Sequence, residues 1–200
     1  VILSVKPQFY ADVIAEIKDL VKPEQLIITI APGKTLTWIA DQFGKDVKIT
    51  RTMPNTPAMV GEGMTAACPN EHMTEEEIAY VKTILESFSR VEVVPEKLMD
   101  AVTAVSGSSP AYVYMMIEAM ADAAVSGGMP RPQAYKFAAQ AVLGSAKMVL
   151  ETGKHPGELK DMVCSPAGTT IEAVRTLEEL GFRSSIIEAM KVCEEVSKSM

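Results

Sequence analysis

The chain has 200 residues, of which 48% are hydrophobic and 22% charged, enough to bury a substantial core in one large or two small domains. Its formal net charge of −7 argues against nucleic acid or an anionic membrane surface as the main partner, because both attract basic surfaces. Cys68, Cys164 and Cys193 are odd in number and widely spaced with no C-x-x-C pair, which fits reduced thiols and a cytoplasmic location rather than a disulfide framework or a zinc site. No signal peptide is evident. The apolar stretch from Tyr112 to Val125 is interrupted by Glu118 and Asp122, so no membrane span is expected.

In chain order, Val1 to Val5 reads as the tail of a strand with no element before it, and Phe9 to Val21 as a helix. Leu26 to Ala31 is a buried strand, Leu36 to Phe43 a short helix and Val47 to Met53 another strand, the rhythm of a parallel sheet. Gly61-x-Gly63-x-x-Ala66 matches a dinucleotide-loop spacing, but it follows a loop and Pro69 leaves no room for the helix that must come next, so it reads as a decoy. Thr74 and Glu77 form a capping box for a helix to Phe88, and Val91 to Val94 is a last strand.

The second half contains no convincing strand. Ser109-Pro110 reads as an N-cap and first helical residue for Ala111 to Ser126; Gly127-Gly128 ends that helix, and Gln133 to Thr152 forms the next. After the loop Asp161 to Gly168, helices are expected over Thr170 to Leu180 and, capped by Ser184, over Ser185 to Lys198. The fold class is therefore α/β: a partial Rossmann-like parallel sheet domain over residues 1–96, followed by an all-α domain over 97–200. Ala111 to Val125 and Ala134 to Leu150 carry small and apolar residues on most faces, more than one surface helix needs to hide, which points to burial against a second chain.

Two groups of residues carry candidate chemistry. Val5-Lys6-Pro7 and Ala31-Pro32-Gly33 end successive parallel strands at the carboxyl edge, where open α/β sheets bind ligands, and Asn55, in Met53-Pro54-Asn55-Thr56-Pro57, offers a donor and an acceptor beside them. The stretch Cys164-Ser-Pro-Ala-Gly-Thr-Thr170 places hydroxyls and free backbone N–H groups at a helix start, a natural receptor for a small carboxylate. In it Gly168 can take positive φ. His72 reads as an exposed turn residue and His155 as structural, and no second histidine stands in ligand spacing, so no metal is expected.

These segments together, with Ser106-Gly107-Ser108-Ser109-Pro110, resemble pyrroline-5-carboxylate reductases almost end to end. The family usually has glycine where Ala167 and Ser109 stand, and Ala-Gly where Pro32-Gly33 stand; if residue 167 needs positive φ, alanine strains the loop. The resemblance implies reduction of 1-pyrroline-5-carboxylate to L-proline with NADPH or NADH. It also implies that the first two βαβ steps of the family, roughly 60 residues, precede Val1. By the same resemblance, Ser4, Val5, Lys6, Pro7, Ile30, Ala31, Pro32 and Asn55 line the cofactor. The amides of Gly168 and Thr169 hold the substrate carboxylate, Val163 and Ser165 shape the pocket, and the Thr170 hydroxyl reaches the ring nitrogen as the catalytic group. A homodimer through the helical domain is implied as well, with larger rings of dimers known in the family.

Two other readings compete. A β-hydroxy acid dehydrogenase would place Lys-x-x-Asn on a helix, but Lys147 is followed three residues on by Leu150. A helical dimerisation module carrying an incomplete, inactive sheet is the non-enzyme alternative.

Overall fold

A computed structural model describes residues 1–199. Five strands, β1 (Ile2–Leu3), β2 (Leu26–Thr29), β3 (Lys48–Met53), β4 (Gly63–Pro69) and β5 (Ser89–Val93), lie in one sheet in the order of the sequence. Pairings β1–β2, β2–β3 and β4–β5 are parallel, while β3–β4 is antiparallel, with Thr50 opposite Pro69 and Met53 opposite Ala66. β4 is the strand that the sequence reading misses. The link from Met53 to Gly63 holds a short 3-10 turn, Thr56–Val60, and is too short for the crossover that a parallel strand requires, so the chain must return antiparallel.

The helices of the sheet half are α1 (Tyr10–Ile17), α2 (Leu36–Phe43) and α3 (Glu75–Leu85). Buried residues recur four apart in α1 (Tyr10, Ile14) and α2 (Ile39, Phe43), and this stripe packs with Leu3, Ile27 and Ile49. Ile28, the next residue along β2, points to the opposite face and packs with Val81 and Leu85 of α3 and with Val91. Two-sided cover explains why β2 is continuously apolar rather than alternating. The capping box at Thr74 and Glu77 is present, and Thr35 caps α2 by accepting from the Trp38 amide at 3.1 Å.

From Met99 the chain is helical: α4 (Met99–Val102), a π-turn over Thr103–Gly107, α5 (Ser109–Ser126), α6 (Arg131–Thr152), α7 (Pro156–Val163), α8 (Thr169–Glu179) and α9 (Phe182–Lys198). Three expectations change here. Ser109-Pro110 does not launch a helix from a loop, because the π-turn carries helical backbone into it from α4. Ser184 lies inside α9 and donates to the Gly181 carbonyl at 3.0 Å rather than capping a helix. The short helix α7 was not anticipated; its cap is His155, whose Nδ1 accepts from the Gly157 amide at 3.0 Å, so that histidine is structural.

The chain divides into two compact units, residues 1–110 together with the turns from Ala189 onward, and residues 111–188. In the first, α9 is tied to the segment before α5 by Ser197 donating to Asp100 at 2.7 Å and by Cys193 to Ser108 at 3.2 Å. In the second, only Ala121, Ala134 and Ala138 are buried among the described residues, while Met115, Phe137, Leu150 and Met162 are each more than 60% exposed. A face this apolar needs a partner in water.

Candidate functional site

The first group of candidate residues is built by the ends of three parallel strands. β1, β2 and β3 terminate at Leu3, Thr29 and Met53, so Ser4–Pro7, Ile30–Gly33 and Pro54–Pro57 all emerge at one edge of the sheet. Ser4, Val5 and Lys6 are exposed, whereas Ala31 is buried against the core. The Tyr10 hydroxyl, wholly buried, donates to the Leu3 carbonyl at 2.6 Å and accepts from the Ile30 amide at 3.1 Å. Burial pushes its phenol above the ordinary range, so it stays protonated and able to donate. Thr52 fastens the next pair by donating from its hydroxyl to the Thr29 carbonyl at 2.8 Å.

Asn55 is spent differently from what its sequence position suggests. Its side-chain amide donates to the Ser106 carbonyl at 3.2 Å, and its carbonyl accepts from the Met64 amide at 2.9 Å. The side chain thereby clamps the start of β4 to the π-turn, leaving the backbone as this residue's means of meeting a ligand. Beneath the loop that follows β2, the buried Arg51 guanidinium pairs with Glu96 at 2.8 Å, and the same carboxylate oxygen accepts from the Leu36 amide at 2.7 Å, at the start of α2. Tyr10, Arg51 and Glu96 are thus supports that sequence reasoning missed. Periodicity gives Tyr10 as a core position but says nothing of its hydroxyl.

The decoy reading of the glycine motif agrees with the geometry. Gly63 opens β4, and a Cβ there would lie 2.9 Å from Ala58 Cα, Ala58 Cβ and the Phe88 carbonyl. Its glycine serves a close backbone approach, not a phosphate.

The second group lies in residues 163–170, between α7 and α8. Ser165, Pro166, Ala167 and Gly168 form a tight turn closed by the Gly168 amide donating to the Ser165 carbonyl at 3.1 Å. Proline at the second position and positive φ at the third are the marks of a type II turn. That positive φ falls on Ala167, at 56°, the one non-glycine residue with positive φ among the described residues. Gly168 itself is extended, φ −82° and ψ 169°, and N-caps α8.

The positive φ open to Gly168 by sequence falls instead on Ala167, where the family's usual glycine stands. Residue 167 bears the backbone strain, while a Cβ on residue 168 would stand 2.3 Å from the Ser165 hydroxyl oxygen and 3.1 Å from its carbonyl oxygen, so it fits only if the Ser165 hydroxyl turns away. The Gly168 amide is also occupied within the turn, which corrects its expected role as a free donor. The amides of Thr169, Thr170 and Ile171 lie in the first turn of α8, where helix geometry supplies no acceptor, and no side chain caps them. With the positive end of the helix dipole, they form a place where an anion is favoured. Val163, Ser165 and Thr169 are exposed and Thr170 is half-buried. At the loop's base Lys160 donates to Asp161 at 2.5 Å, and this bond holds the Lys160 ammonium above its ordinary range, offsetting the carboxylate nearest the turn.

Cys68, Cys164 and Cys193 are free thiols. Among the described residues no cluster of three His, Cys, Asp or Glu could hold a metal, and no helix is long and apolar enough to cross a membrane.

Comparison with known proteins bears on both groups. Residues 96–200 match the family described as pyrroline-5-carboxylate reductase dimerisation. The chain is similar to the pyrroline-5-carboxylate reductase of Escherichia coli K12, with 59% identity over 98% of this chain and 73% of that protein. Among solved structures it is similar to a pyrroline-5-carboxylate reductase from Coxiella burnetii, with a TM-score of 0.93, 35% identity and coverage of 100% of this chain and 74% of that one. The Plasmodium falciparum pyrroline carboxylate reductase, solved with NADP bound, gives a TM-score of 0.91 at 34% identity, covering 99% of this chain and 79% of the other.

Proposed function

The chain belongs to the pyrroline-5-carboxylate reductase family, and from that premise we propose how its residues reduce 1-pyrroline-5-carboxylate to L-proline with NADPH or NADH, the last step of proline biosynthesis. The observation that carries the reading is the turn before α8. It presents the uncapped amides of Thr169 and Thr170 to a carboxylate, with Gly168 closing the turn behind them. Val163 and Ser165 border this pocket, and the Thr170 hydroxyl orients the ring nitrogen.

The chemistry suits such a site. A cyclic imine that arrives protonated is already electrophilic at carbon, so the loop needs no His, Asp or Glu to supply a proton. The nicotinamide supplies the hydride when bound. This chain's part is placement: the backbone of Ser4, Val5, Lys6, Pro7, Ile30, Ala31, Pro32 and Asn55 receives the cofactor at the sheet edge, and the α8 amides hold the substrate anion. The shape of the sheet edge fits that role, since Tyr10 and Thr52 brace the strand ends while Ser4 to Lys6 stay open.

We place the working boundary between sheet domain and helical domain near residue 96. The exposed apolar faces of α5 and α6 support a homodimer through the helical domain. Free thiols and acidic surface charge support a cytoplasmic enzyme.

The test is NADPH and NADH oxidation by the full chain with pyrroline-5-carboxylate, in wild type, Thr170→Ala and Thr170→Val. A fall of at least tenfold in kcat for both variants, with the fold intact, supports the hydroxyl's role. Turnover equal to wild type in both removes Thr170 from the mechanism.

A further inference from the structure

The start of the β1–β2 ladder predicts a rung that the structure replaces. The Ile28 amide donates to the Val1 carbonyl at 2.8 Å, and Ile2 and Leu3 pair with Ile28 and Thr29. Parallel ladders repeat every two residues along both strands, so the next rung would join the Ile30 amide to the Leu3 carbonyl. Those are the two groups that the Tyr10 hydroxyl bridges, accepting from Ile30 at 3.1 Å and donating to Leu3 at 2.6 Å. One hydrogen bond becomes two in series, and the backbones spread at the point where β1 and β2 give way to Ser4–Pro7 and Ile30–Pro32.

We propose that Tyr10 is a positioning residue for the nicotinamide cofactor: its hydroxyl holds the carboxyl ends of β1 and β2 apart and sets the backbone that receives it. The hydroxyl suits this task because it is fixed from three sides. Its ring is wholly buried among Leu3, Ile14, Ile27 and Ala31, and its hydrogen bonds go to Ile30, the first residue of one proposed cofactor segment, and to Leu3, the residue just before the other. The helix that carries it begins within the same segment, directly after the turn Pro7–Phe9, so the spacer and the backbone it spaces belong to one short stretch of chain. A phenylalanine would fill the core equally well but would leave the Ile30 amide and the Leu3 carbonyl either unpaired or drawn together into a direct rung.

The inference rests on the reading of this edge as the cofactor site, and the two can be tested apart. In the full-length wild-type enzyme, NADPH should slow amide hydrogen exchange at residues 4–7 and 30–32; no protection there overturns the site reading and the inference with it. Given protection, Tyr10→Phe should raise the NADPH Kd about tenfold and leave the KM for pyrroline-5-carboxylate unchanged. Ile14→Val is the control, since it loosens the same helix face and leaves the hydroxyl in place. A Kd unchanged in Tyr10→Phe, or a Kd that rises equally in both variants, overturns the role assigned to the hydroxyl. A Tyr10→Phe variant that does not fold, beside an Ile14→Val that does, also overturns it, since the hydroxyl would then serve the fold rather than the cofactor backbone.

Discussion

The Ser165 hydroxyl oxygen lies 2.3 Å from the point where a β-carbon on residue 168 would stand, so the turn before α8 is closed around the missing side chain of Gly168. Gly168→Ala must turn the Ser165 hydroxyl away, and the new Cβ then presses on the Ser165 carbonyl at 3.1 Å, which closes the turn and so shifts the Thr169 and Thr170 amides. Because a misplacement of about 1 Å can cost about 100-fold in rate, kcat/KM should fall by about that factor. Thermal stability should change little, the loop being largely exposed. Steady-state kinetics beside a melting curve decides, and wild-type kcat/KM would show that the turn does not position the substrate.

Ala167, at φ 56°, bears the strain that glycine avoids. Left-handed backbone costs an alanine about 1–2 kcal/mol, while the greater freedom of glycine in the unfolded chain costs about 0.4–1 kcal/mol. Ala167→Gly should therefore stabilise the protein by up to about 1.6 kcal/mol, and Ala167→Val, β-branched, should destabilise it. Urea midpoints for the pair check the order; a less stable Ala167→Gly contradicts it.

Gly63→Ala sets a Cβ against Ala58 and the Phe88 carbonyl, all at 2.9 Å. Overpacking of this kind costs about 1–3 kcal/mol. The KM for NADPH should stay as it is, since this glycine spaces β4 and holds no phosphate. A raised cofactor KM at unchanged stability would restore the motif as a binding loop.

Asn70 stitches the far end of the β3–β4 pair, accepting from the Ile49 amide at 3.1 Å and donating to the Val47 carbonyl at 2.8 Å. Asn70→Ala leaves two buried backbone groups without partners, at about 1–3 kcal/mol each. Chemical denaturation should show a loss of about 3 kcal/mol with an unchanged slope. A loss below about 1 kcal/mol would mean that water replaces the amide.

Glu77 accepts from Lys48 and, closing the capping box, from the Thr74 amide at 2.9 Å. The Lys48 bond is the larger cause holding its carboxyl below the ordinary glutamate range. A lowered folded-state pKa gives stability that is fully present above the ordinary carboxylate pKa and is lost as pH falls through the folded value. Glu77→Gln keeps a capping side chain but cannot titrate. Wild type should be the more stable at about pH 7 and lose that advantage as pH falls below the ordinary carboxylate range. An advantage that persists at the acid end assigns it to something other than this charge.

Much of this protein is fixed by local rules that a sequence displays. The continuous apolar run of β2, the four-residue stripe of α2, the Thr74–Glu77 capping box and the need for a special backbone at residue 167 all follow from the chemistry of neighbouring residues. The whole-chain resemblance added the reaction. Other features depended on residues distant in sequence. β4 is antiparallel because of the length of its link to β3, and Gly63 is glycine because Phe88 approaches it from 25 positions away. The Asn55 side chain is drawn from the ligand edge by the Ser106 carbonyl, and the hydroxyl of Tyr10, a core position by periodicity, becomes a spacer only once β1 and β2 lie side by side. Helical and strand periods report which face of a segment is buried; which partner a polar atom finds there is decided by the packing of the folded chain.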